Sequence, residues 1–151
     1  MSGWEAMMCR RPVLASVILA VIAAAGSSPA SAKSATIGWR PGGDVYTHIA
    51  EALDMIRSGK TYRVTGDQYS AAAMQVVYLE SQMPERICAS PKAKLHFHLG
   101  FDRQTRRPIK ALDPVWVAFI RPENLKRLGR LPEYGKGFKT VRASAYLGLC
   151  R

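Results

Sequence analysis

Beyond residue 32 the apolar positions fall into short blocks whose spacing alternates between two periods. Residues 34–38 (SATIG) read as a strand that runs into Trp39-Arg40-Pro41-Gly42-Gly43-Asp44, where two glycines permit a tight turn with exposed amides. Val45, Ile49, Ala52, Leu53 and Ile56 then recur at helical spacing, with Asp44 as the N-cap and Gly59 as the stop. Residues 62–65 alternate like a strand. Residues 70–79 (SAAAMQVVYL) are apolar almost all round, which predicts a buried helix capped by Ser70 and stopped by Pro84. Residues 94–98 (KLHFH) alternate again. Asp113-Pro114 is an N-cap followed by proline at the first helical position, and Pro122 must break that helix and restart it near 123–128. A last strand is expected at 138–143, with a short terminal helix reaching Cys150. Strands interleaved with helices predict one α/β domain with a parallel layer.

The first 32 residues follow a different pattern. Arg10 and Arg11 precede an uncharged apolar run at 13–25, and the small residues Ala30-Ser31-Ala32 follow it. This is the layout of a cleavable export signal, with Lys33 as the mature N-terminus. An uncleaved N-terminal anchor is the alternative. The run is shorter than the ~20 residues that cross a bilayer, and a multi-span membrane protein is excluded. The expected location is therefore exported, periplasmic or secreted. Cys9 leaves with the signal, so Cys88 and Cys150 remain, and in an oxidising compartment the two most simply form one disulfide. No Cys-x-x-Cys occurs, which removes a redox or zinc-knuckle role.

Charge adds one asymmetry. The 151-residue chain carries 22 Lys+Arg against 11 Asp+Glu, a net charge of +11. Residues 33–102 are close to balanced, whereas 103–151 hold 12 basic and 3 acidic groups. Such a tail attracts anionic envelope surfaces in a salt-dependent way. Its basic residues are scattered among apolar ones rather than clustered, so a solvated face is the plainer reading and no specific nucleic acid is expected.

The chemistry-bearing residues come in a fixed order: a glycine pair after a strand, a serine at the start of a buried helix, and a histidine on a later strand. Pro41-Gly42-Gly43-Asp44-Val45, the Ala-Leu-x-x-Ile of the first helix, the small-residue start at 70–74, and Arg86-Ile87-Cys88-Ala89-Ser90-Pro91 through His96-Phe97-His98 resemble exported serine peptidase-like proteins related to the Clp protease proteolytic subunit. The resemblance covers residues 35–100. It implies a single-domain ClpP/crotonase-like fold of βαβ layers, shortened at its N-terminal side. A serine at the second helix would be the nucleophile, His98 its general base, and the amides of Gly43 and Ala71 the oxyanion hole. Peptide or protein would be the substrate or partner, without a cofactor.

Three departures make catalytic degeneracy the expectation. A gapless count from Pro91 and His98 assigns the nucleophile position to Ala73, one helical turn beyond Ser70. Ser70 serves only if the helix has gained a turn, and a plain N-cap explains it equally well. No third triad member stands out: Asp102 and Asp113 are available, and Asp113 is better explained as a cap. The units that usually precede the Gly-Gly turn are missing, which would expose a sheet edge open to oligomerisation. His96 and His98 share a strand face and could share a metal, yet a third ligand is not evident and none is expected. Two functions follow, a degenerate ClpP-like serine-peptidase relative and, as the alternative, a small basic envelope-binding protein acting through residues 103–151.

Overall fold

The strand, turn and helix at the start form where the spacing puts them. β1 (Ser34–Ile37) leads through the glycine turn into α1 (Val45–Arg57), and the Asp44 side chain accepts the Thr47 amide at 2.9 Å as its cap. The chain reverses through Gly59, at φ +67°, into β2 (Thr61–Val64), which lies parallel to β1. A second crossover carries β3 (Gln68–Tyr69) and α2 (Ala71–Gln82) before β4 (Ile87–Ala89) pairs parallel with β2. The first sheet is thus a parallel βαβ layer in the order β1-β2-β4. These elements belong to residues 33–151, the part of the chain described in the computed structural model; the export segment expected at 1–32 lies outside it.

A second sheet has the order β3-β5-β6, with β5 at Lys94–Phe97 and β6 at Lys139–Arg142. β5 runs parallel to β3 but antiparallel to β6, so the parallel layer predicted from the alternation holds for the first sheet and not throughout. Between β5 and β6 the chain forms α3 (Pro114–Phe119) and α4 (Pro122–Leu128), split at Pro122 as expected. Asp113 caps α3 by accepting the Val115 amide at 3.0 Å. The last helix, α5 (Ser144–Leu147), ends at Gly148, before Cys150.

Every residue of α2 from Ala71 to Glu80 is buried. A helix that is apolar all round must be covered on all sides. α1, β5, α3 and α5 do this, and Val76, Val77 and Leu79 are almost wholly inaccessible. Each such side chain contributes about 1.5–3 kcal/mol by leaving water. The two polar exceptions on α2, Gln75 and Glu80, are buried as well.

The C-terminus returns to the first sheet. Leu149 bridges Ala89, with Cys150 N–H donating to the Ala89 carbonyl at 3.0 Å, and Cys88 is bonded to Cys150. The disulfide read from the cysteine count is therefore present. It closes a separation of 62 residues, a constraint on the unfolded chain of about 4 kcal/mol in the chain-entropy account.

Candidate functional site

Two segments that leave the sheets side by side build the site. After β1, residues 38–41 run along 65–69. Arg40 N–H donates to the Asp67 carbonyl at 3.0 Å, and Tyr69 N–H donates to the Arg40 carbonyl at 3.1 Å. Gln68, wholly buried, donates its amide to the carbonyls of Gly38 and Gly66 at 2.5 and 2.9 Å. Gly66 permits this approach, since a Cβ there would stand 2.3 Å from the Trp39 nitrogen. The paired segments then diverge, one into Gly42–Gly43 and α1, the other into Ser70 and α2.

Gly42 consequently abuts Ser70. A Cβ at position 42 would lie 2.6 Å from the Ser70 Cβ, so no other residue fits without moving the serine. Ser70 itself has φ 51° and ψ −117°, a backbone region that side chains rarely tolerate. An ordinary cap has extended backbone and bonds the N2 or N3 amide. Ser70 makes no such bond, so its hydroxyl is not spent on capping. The Ser70 amide donates to the His96 carbonyl at 2.8 Å, fixing a sharp strand-to-helix turn.

The same sheet sets His98. Tyr69 lies opposite His96 across β3 and β5, so His98 falls one position past the residue level with Ser70. Its Nδ1 is 2.5 Å from the Leu99 carbonyl. A carbonyl only accepts, so Nδ1 carries the proton and Nε2 is left as the basic atom. The ring packs edge-on with Phe138, centroids 4.9 Å apart, and tilted against Tyr134 at 5.4 Å. Among the described residues no hydrogen bond joins Ser70 and His98; such bonds are often long before substrate binds.

Ser70, Ala71, Gly43 and His98 all line one cavity of about 650 Å³, with Met74 and Trp116 among its apolar walls. Ala71 is the first residue of α2, so its amide has no intrahelical acceptor. Gly43 N–H likewise makes no hydrogen bond among the described residues. At the mouth, Arg103 pairs with Asp44 at 2.7 Å. The Thr47 amide, with its hydroxyl and Arg103 in support, holds the Asp44 carboxyl below its ordinary value despite the opposing effect of burial. Arg103 belongs to a hairpin in which Phe101 bridges Pro108, and the hairpin exposes Arg106 and Arg107.

The other sequence candidates lie elsewhere. Ala73 is fully buried in the core, one turn inside α2. Asp102 accepts the Thr105 amide and hydroxyl, which lower its pKa, and Asp113 caps α3; neither meets His98. His96 is bound to Asp67 and Thr140 and stacks on Tyr69, as a structural histidine does. No group of three or more metal-ligating side chains occurs among the described residues. No protein-family model, curated protein or solved structure matches this chain. Sequence reasoning missed two participants, Gly42 as the residue that makes room for Ser70 and the Leu99 carbonyl as the partner of His98. The glycine pair signalled the first; nothing in a side chain could signal the second.

Proposed function

We propose that this chain is an exported serine hydrolase of the ClpP/crotonase type that retains a chemically competent Ser70–His98 pair. The observation that carries the reading is the backbone of Ser70. A strained, uncapped serine wedged against a required glycine costs about 1–3 kcal/mol, and an ordinary helix cap gives no return for it.

In this reading His98 Nε2 takes the Ser70 proton as Oγ attacks an acyl carbonyl. The amides of Gly43 and Ala71 receive the negative charge that develops on the carbonyl oxygen. His98 then returns the proton to the leaving group, and water, activated by the same nitrogen, releases the acyl group from Ser70. The Leu99 carbonyl keeps the imidazole in the useful tautomer but carries no negative charge to stabilise the imidazolium. Turnover is therefore expected to be slow, which preserves part of the degeneracy expected from the sequence. Hydrolysis of short p-nitrophenyl esters by residues 33–151 tests the reading. Turnover lost in both Ser70→Ala and His98→Ala is the expected result; turnover that survives either substitution removes it.

A second reading, adhesion to an anionic envelope surface through residues 103–151, draws its support from the exposed Arg106 and Arg107 of the hairpin. It is compatible with hydrolysis, because the hairpin stands at the mouth of the cavity.

A further inference from the structure

Behind the Gly42–Gly43 turn lies a polar cluster that acyl transfer does not use. Its centre is Gln75, on α2 five residues after Ser70 and 2% exposed. Gln75 Oε1 accepts from Arg40 Nη1 at 3.0 Å and lies 3.1 Å from His48 Nδ1. Gln75 Nε2 donates to Glu51 Oε2 at 3.3 Å, and Arg40 Nη2 donates to the same carboxylate oxygen at 2.5 Å. The amide can face only one way, since Arg40 has donors alone and an ionised Glu51 acceptors alone. His48 Nδ1 must then donate to Oε1, which directs the other ring nitrogen at the turn: a Cβ on Gly43 would lie 3.3 Å from His48 Nε2.

Three of the four residues flank the turn. Arg40 stands two residues before Gly42, and His48 and Glu51 lie on the helix that Gly43 leads into. Both flanks are thereby fastened to one side chain of the helix that Ser70 begins. A helix otherwise apolar from Ala71 to Leu79 would be no less stable with a packed aliphatic residue at this point, since buried polar networks seldom exceed apolar packing in stability. What the amide adds is direction.

We propose, on the hydrolase reading above, that Gln75 is a positioning residue: through Arg40 and His48 it sets the Gly43 amide at the distance from Ser70 that the oxyanion requires. A shift of about 1 Å in such a donor lowers rates by about a hundredfold.

The test is the acylation rate of Ser70 by p-nitrophenyl acetate, with kcat and KM measured separately on folded protein. Gln75→Met is expected to lower kcat about 10- to 100-fold and leave KM within about twofold. Arg40→Lys, a milder change that keeps a cation beside Glu51 but loses the fork to Gln75, is expected to lower kcat about fivefold and carries the test if Gln75→Met does not fold. Wild-type kcat in Gln75→Met or Arg40→Lys, with Ser70 acylated normally in the parent, overturns this proposal alone. A parent protein never acylated at Ser70 overturns the hydrolase reading and this proposal together.

Discussion

The two buried polar residues of α2 are five positions apart and are satisfied in different ways. Gln75, toward the Ser70 end, is a neutral amide bonded to groups from the first 20 residues of the described chain. Glu80, one turn and a half further on, is a carboxylate held by Arg121 and Asn124, both more than 40 residues away in sequence. Asn124 is 1% exposed, and Ser81 Oγ accepts the Arg121 amide at 3.1 Å beside it. The first cluster orients a turn; the second attaches a segment. A neutral amide suits the first task because it fixes directions without burying a charge. An ion pair suits the second, because a buried carboxylate is tolerated only when its partners arrive.

The largest effect is expected at the attachment end. Arg121→Ala deprives the buried Glu80 of its ion-pair partner and should destabilise the protein by about 3–5 kcal/mol, read from the denaturant midpoint. Replacing Glu80, Arg121 and Asn124 together with apolar residues of similar volume should recover most of that loss. Next comes the covalent attachment of the same C-terminal region. Reducing Cys88–Cys150, or Cys150→Ser, should cost about 2–4 kcal/mol while esterase activity survives in the folded fraction.

Smaller effects are expected at the Ser70 end. Burial would raise the Glu51 pKa, but the hydrogen bond and charge of Arg40 outweigh it, so the carboxyl sits below its ordinary value. A carboxylate so held contributes stability that is complete above its unfolded pKa of about 4.3 and is lost as the pH falls through the lowered value. Glu51→Gln should therefore be less stable than the parent at neutral pH, and the gap should close as denaturation is repeated down through the carboxylate range. The smallest effect has the opposite sign. Ser70→Gly relieves the strained φ and, after the added chain entropy of glycine, should raise stability by up to about 1 kcal/mol while abolishing turnover. A loss of stability there would mean that Ser70 is a structural residue after all.

The sequence shows these regions unevenly. α1 and its Asp44 cap, the Asp113-Pro114 start of α3 and the break at Pro122 are written in periodicity and capping chemistry, and the structure has them within a few residues. β3 and β4, at two and three residues, are too short to display a period, so the second crossover was not visible. The antiparallel β6 follows from where the C-terminal helices return the chain, which no local pattern encodes. The glycine pair, Ser70 and a histidine on the later strand could be named from residue type and order; the choice of His98 and Ala71 came only with the family resemblance, and the fold gathers Gly43, Ser70, Ala71 and His98 around one cavity. A gapless count favoured Ala73, because counting back from Pro91 and His98 assumes an unchanged length of chain between them and the start of the helix. The backbone angle that sets Ser70 apart from a cap has no signature in residue type. Gln75 did carry one signal, a lone amide inside an apolar run, although its partners Arg40, His48 and Glu51 are joined to it only by the pairing of α1 with α2.

The central claim is that Ser70 is a nucleophile activated by His98, and covalent capture tests it most directly. Residues 33–151 would be treated with a fluorophosphonate and the adduct located by peptide mass mapping. The account predicts one adduct, on Ser70, formed slowly, absent in Ser70→Ala and strongly reduced in His98→Ala. An unmodified Ser70 under conditions that label an ordinary serine hydrolase to completion, or an adduct that persists unchanged in His98→Ala, would contradict it.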